Sequence, residues 1–274
     1  MVDKLIKLVT YGDDKFYYSR KLLFLEALKV SSIDKIKVYK KNELPSEVLS
    51  SDLMKFNKGG GYWIWKPYII YNELIRMKND DILIYVDSGC SVANTDEWDY
   101  FYKILEKKSI LLFKFSDKKN YHWNIEKSKN YNYEKLKCWT KKNTLNYFTN
   151  KYNKKINWLD DKNTIMAGLI ICKRNDDSIK FFKKMYDEML LNANLIIDPD
   201  EFELNDQFDF YCEHRHDQSV LSIMAYNFID KYNIEIIDEN IEPVCCEGNP
   251  AVLALRRVIS KGSYITFLRE LYKS

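Results

Sequence analysis

The chain is sparing with glycine, proline and histidine: 8, 5 and 3 in 274 residues. Three histidines are too few for a His-rich metal site. Six cysteines, Cys90, Cys138, Cys172, Cys212, Cys245 and Cys246, show no CxxC spacing, which speaks against zinc. They read as reduced, mostly buried thiols of a cytosolic protein. No apolar run approaches a membrane span. The N-terminus, MVDKLIKLVTYGDD, has neither the apolar core nor the small-residue cleavage site of a signal peptide. Excess charge is also missing: 43 basic against 40 acidic residues leaves +3, which requires no nucleic-acid partner. GxxxxGK[ST] and GxGxxG are absent, which sets aside P-loop NTPases and dinucleotide dehydrogenases. GxSxG and HExxH are absent too.

What is present is an ordinary folded composition, 46% hydrophobic and 30% charged, of a length that suits one large α/β domain or two small ones. Apolar runs predict strands at Leu5–Asp13, Lys35–Lys40, Ile82–Asp87, Ser109–Phe115, Thr164–Lys173 and Ile234–Asp238. Helical periodicity predicts helices at Asp14–Val30, Pro45–Asn57, Lys66–Lys78, Thr95–Lys108, Asp177–Leu195 and Gln218–Ile229. Residues 118–157 are polar and less regular, and Ile196–Asp217 is an acidic loop. Strand and helix alternate through the first half, the signature of a doubly wound sheet. The tail Ala251–Ser274 reads as a basic amphipathic helix packed on the domain, with peripheral contact to a membrane surface as the alternative.

Ligands of open α/β sheets bind beyond the carboxyl ends of the strands. Tyr11, Gly12 and Asp13 follow the first strand there, and Asp87, Ser88 and Gly89 follow the central one. A carboxylate at the end of a buried apolar strand needs a partner, because an unpaired buried charge is costly. The alternative is that Asp87 caps the next helix. EHRHDQS, Glu213–Ser219, is the densest polar cluster and opens an apolar helix. Asp217 could be its N-cap, but two histidines flanking an arginine exceed that need. A diphosphate, or a metal carrying one, would use them.

With so few glycines, the run GGGYWIWKPYII, Gly59–Ile70, stands out. Glycine lets backbone approach a ligand closely. Pro67 disfavours helical backbone at Lys66, so Lys66 is expected to be extended. Trp63 and Trp65 would then share a face.

The order YGD, GYWIWKP, hydrophobic-Asp-Ser-Gly-Cys, WTKK, MAGLIICK and HRHDQSVLS resembles GT-A-type glycosyltransferases of bacterial and giant-virus capsule and surface-polysaccharide clusters, over about the first four-fifths of the chain. The resemblance implies a mostly parallel, Rossmann-like GT-A domain over residues 1–250, with a donor half to about 117 and an acceptor half beyond it. It implies a nucleotide-sugar donor, UDP-linked, and a glycan or glycoconjugate acceptor. Tyr11 and Asp13 would hold base and ribose. Trp65, Lys66, Asp87, Ser88, Arg215 and Gln218 would line the donor, and Ala167 and Gly168 the acceptor side. Asp217 and His216 would be the catalytic pair.

The resemblance also implies Mn²⁺ or Mg²⁺ on an Asp-x-Asp motif. Here that motif reads Asp87-Ser88-Gly89, so the second acid is missing. His214 or His216 could replace it, or Lys66, Arg215 and His216 could neutralise the diphosphate without metal. A non-catalytic nucleotide-sugar or glycan binder and a sugar nucleotidyltransferase are the competing readings. The latter would want a Gly- and Arg-rich loop after the first strand, where TYGDDKF stands.

Overall fold

The structure, a computed structural model, describes residues 4–119, 121 and 134–271. Strands form at Ile6–Tyr11 (β1), Lys35–Tyr39 (β2), Ile82–Val86 (β3), Ser91–Val92 (β4), Ile110–Lys114 (β5), Ile165–Lys173 (β6), Ile234–Asp238 (β7) and Val252–Leu253 (β8). Six of them make one sheet in the order β2-β1-β3-β6-β5-β7. The pairs β1–β2, β1–β3 and β5–β7 are parallel, and β6 alone runs against both its neighbours. The fold is therefore mixed α/β with a mostly parallel central sheet flanked by helices.

Successive strand side chains point to opposite faces, and β3 shows why its sequence is apolar throughout. Leu83 and Tyr85 enter the core on one face, with the helices Trp65–Leu74, Asp176–Leu191 and His216–Asn227. Ile82, Ile84 and Val86 enter the core on the other, with Tyr17–Ala27 and Glu97–Lys107. From β1 the chain passes to β2 on one side and then to β3 on the other. The carboxyl ends of β1 and β3 thus flank a topological switch point, where a crevice opens.

Several elements depart from the periodicity reading. The helix expected over Pro45–Asn57 breaks into Ser46–Leu49 and a 3₁₀ turn at Asp52–Lys55, because the Ser51 hydroxyl accepts from Leu53 N–H (3.3 Å) and starts a new cap. The helix expected from Asp14 begins as a 3₁₀ turn capped by Asp13, whose carboxylate accepts from Lys15 N–H. Within the polar stretch 118–157, part of which lies outside the described residues, Lys142–Lys151 is helical. Its inner face is Thr144, Leu145, Phe148 and Thr149, so only two large apolar residues mark it. The acidic loop holds a short helix, Glu201–Asn205, capped by Asp200 accepting from Glu203 N–H at 2.8 Å.

The tail departs most. Only Lys261–Leu271 is helical, and Tyr264 rests 5.5 Å from the Tyr18 ring. Ahead of it Ala251, Val252 and Ala254 are buried, and β8 pairs antiparallel with β4. Burial of a short apolar run against a partner strand outweighs its helical periodicity. No helix among the described residues is long and apolar enough to cross a membrane.

Candidate active site

Twelve of the residues that the sequence nominates, all but His214, line one cavity of about 480 Å³ at the switch point. Tyr11 ends β1 and Asp13 follows it. Asp87 and Ser88 follow β3. Ala167 and Gly168 lie in β6, where the register Val86↔Leu169 sets Asp87 beside Gly168, and Asp87 N–H donates to Gly168 O at 2.9 Å. Arg215 to Gln218 open the helix His216–Asn227.

Lys66 is the hub. Its Nζ lies 2.7 Å from Asp217 Oδ2, 3.2 Å from Asp87 Oδ1 and 3.1 Å from Ala167 O. Its side chain is 2% exposed, against 6% for Asp217 and 35% for Asp87. Ala167 O accepts a hydrogen bond from the ammonium, and the two carboxylates offset its charge. Burial opposes its charge, yet Asp217 and Asp87 together hold its pKa above the ordinary lysine value. Asp217 is pushed up to about 6, chiefly by burial, with Asp87 adding to the rise and Lys66 resisting it. Asp217 Oδ2 is close to the ammonium but accepts no well-aligned hydrogen bond. The contact is an ion pair with a lone pair to spare. Tyr85 fixes the other carboxylate, donating to Asp87 Oδ1 at 2.6 Å.

Lys66 is not extended, as Pro67 suggested, but helical, the second residue of Trp65–Leu74. Proline in the first turn costs no hydrogen bond, because amides there lack an intrahelical partner. The turn before it makes this entry: Gly59, Gly60, Gly61, Tyr62 and Trp63 all have positive φ, between 54° and 101°. That left-handed run needs glycine at most of its positions. Trp63 and Trp65 therefore do not share a face. Trp65 lies 4.3 Å from the Tyr11 ring and its indole N–H donates to Gly59 O at 3.0 Å, whereas Trp63 stacks on His216 at 5.3 Å. The buried Tyr11 hydroxyl has no hydrogen-bond partner among the described residues, and its pKa is pushed up to about 12 by burial and by Asp13.

The two histidines differ: both ring nitrogens of His214 are engaged, whereas His216 uses Nδ1 and leaves Nε2 3.8 Å from Asp198 Oδ1. His214 accepts from Lys141 N–H at Nδ1 (3.3 Å) and donates from Nε2 to Leu195 O (2.9 Å), outside the cavity. It cannot replace the missing acid, because both ring nitrogens are spent. His216 donates from Nδ1 to Ile196 O at 2.7 Å, and burial lowers its pKa to about 4. It is neutral at pH 7 and brings no positive charge to a diphosphate. Arg215 does: its guanidinium lies 4.3 Å over the Trp139 ring and 3.3 Å from Glu213 Oε2.

Sequence reading missed Arg256, which also lines the cavity. It sits in the segment after β8 at φ 52° and is held by Glu242. Its arrival explains Gly89. A Cβ on Gly89 would stand 3.1 Å from Arg256 Cα and 3.2 Å from Arg257 N. That backbone cannot retreat: Arg257 N–H donates to Gly89 O at 2.9 Å, and the Arg257 guanidinium grips Glu26 at 2.7 and 2.8 Å. The second acid of the motif is thus disfavoured by packing. Gly89→Ala is expected to cost about 1–3 kcal/mol. Gly89→Asp is expected to melt lower still and to gain no stabilisation from Mn²⁺. Thermal melts with and without the ion check both.

The residues do not fit a resident Mn²⁺ or Mg²⁺. Such ions need several oxygen ligands, and among the described residues no group of three His, Cys, Asp or Glu is placed to hold a metal. The two carboxylates that face each other already share an ammonium.

No family model and no curated protein matches the chain. Glycosyltransferases recur among the solved structures it is similar to. Mouse xyloside xylosyltransferase 1 is 9% identical, with 92% of this chain and 97% of that one covered and a TM-score of 0.47. A glycosyltransferase involved in glycosylating the major capsid of PBCV-1 is 10% identical over 86% and 82%, with a TM-score of 0.43. The 4-diphosphocytidyl-2C-methyl-D-erythritol synthase of Anaerococcus prevotii is 8% identical over 98% and 96%, with a TM-score of 0.41. Likeness at this level fixes neither reaction nor substrate.

Proposed function

We propose that the chain transfers a sugar from a nucleotide-sugar donor, UDP-linked, to a hydroxyl of a glycan or glycoconjugate in surface-polysaccharide synthesis. The observation that carries this is Asp217, a buried carboxylate with a pKa of about 6, at the wall of a switch-point cavity and held by Lys66. The volume falls in the range of roughly 300–1,000 Å³ common to small-molecule sites. Tyr11, whose hydroxyl has no hydrogen-bond partner among the described residues, and Asp13 take the nucleoside end. Ala167 and Gly168 border the acceptor.

In the reaction the acceptor oxygen bonds to the anomeric carbon as that carbon's bond to the diphosphate breaks. The nucleoside diphosphate leaves, and the acceptor hydroxyl gives up a proton. Asp217 supplies the negative charge beside the reacting sugar, as proton acceptor or as counter-charge to an oxocarbenium-like state. Either role needs it ionised. Lys66 positions Asp217 and Asp87.

The test is a panel of nucleotide sugars followed by donor hydrolysis and thermal shift. A donor that raises the melting temperature and is turned over supports the reading. Binding without turnover supports a non-catalytic binder, and no shift with any nucleotide sugar or nucleoside diphosphate sinks the proposal.

A further inference from the structure

We propose that the donor diphosphate is held without a divalent metal, by the guanidinium groups of Arg215 and Arg256, while Lys66 stands where a metal would bridge Asp87 and Asp217. The proposal rests on the donor reading above. It departs from the metal that the Asp-Ser-Gly resemblance implies.

Three features lead to it. Lys66 is first. A divalent ion between the two carboxylates would have to displace an ammonium that is 2% exposed, ion-paired to both and hydrogen-bonded to Ala167 O. An evicted buried charge of this kind has nowhere to be solvated. The second is Gly89, whose lack of a side chain is favoured by the close Arg256–Arg257 backbone. The segment that removes the acid is the same one that delivers Arg256.

The third is the pair of arginines. Arg215 precedes the helix His216–Asn227 and Arg256 follows β8, and both line the cavity. Burial lowers the Arg215 pKa, Glu213 opposes that, and the Arg256 charge adds to the lowering. Each is pre-set by a structural contact, Arg215 by Trp139 and Glu213, Arg256 by Glu242 and by Ala254 O at 3.0 Å. Two guanidinium forks match the oxygens of a diphosphate in charge and in geometry, which an ammonium does not. The neutral His216 takes no part in the charge balance.

The experiment is titration calorimetry with UDP, GDP and inorganic pyrophosphate, in EDTA and in Mn²⁺. At least one probe is expected to bind equally in both, within about threefold. Arg215→Gln and Arg256→Gln are each expected to weaken that binding by about 10- to 100-fold. Glutamine keeps a donor for Glu242 at position 256, and Arg215→Gln leaves Glu242 untouched, so one variant serves if the other misfolds. Binding only in Mn²⁺ overturns the inference and leaves the donor reading standing. Binding in EDTA that ignores both substitutions also overturns it. If no probe binds under either condition, the donor reading falls with it.

Discussion

Asp217→Asn is expected to lower transfer by about 10²–10⁴-fold and to lower the melting temperature as well, because it leaves the buried Lys66 ammonium with only the half-buried Asp87 carboxylate beside it. Asparagine keeps the shape of a side chain that is nearly inaccessible, so the fold is expected to survive the change. The wild-type rate is expected to rise with pH through about 6, where Asp217 ionises, and to level above it. The variant should lack that limb. Stability carries the same signature. The folded pKa of about 6 exceeds the ordinary 3.8, so the folded state binds the proton more tightly. Its contribution is therefore fully present below the unfolded pKa and is lost as pH rises from about 4 to about 6. Rates and melts across that window read both effects, and a variant that retains wild-type transfer would falsify the role of Asp217.

Lys66→Met carries the largest expected effect on stability, about 3–5 kcal/mol. It strips the counter-charge from a buried carboxylate and frees Ala167 O as well. Without the ammonium the Asp217 pKa climbs further, so the pH range over which stability falls extends above 6, where the wild type is flat. Urea midpoints at pH 5 and pH 8 compare the two. The double change Lys66→Met with Asp217→Leu is expected to recover much of the loss, because an apolar pair of similar volume needs no solvation. A single variant as stable as wild type at pH 8 would show that the ion pair is not what holds these elements together.

The strands were legible because burial on both faces leaves nothing but apolar residues, as in Ile82–Val86. The gathering of Tyr11, Asp87 and Asp217 was legible because residues after strands and at helix starts meet at one sheet edge. What was hidden lay in pairwise geometry. Nothing in GGGYWIWKP announces a left-handed turn that delivers Lys66 helically between two carboxylates. The direction of β6 is not a property of its residues, and it is this reversal that sets Ala167 and Gly168 against Asp87. The helix Lys142–Lys151 packs through threonines that polarity alone assigns to the surface. Arg256 was invisible for the same reason as Gly89: each is explained by a neighbour 167 positions away.

That neighbour has a consequence for how the chain comes into being. Synthesis and folding run from the N-terminus, so every strand of the main sheet, both carboxylates and Lys66 emerge from the ribosome before residue 251. Until Ala251 to Ile259 follow, the Asp87–Cys90 turn has no Arg257 against Gly89 and no β8 beside β4. A nascent chain of this length holds the sheet and half a wall. The cavity is completed only once residues 251–259 have joined it.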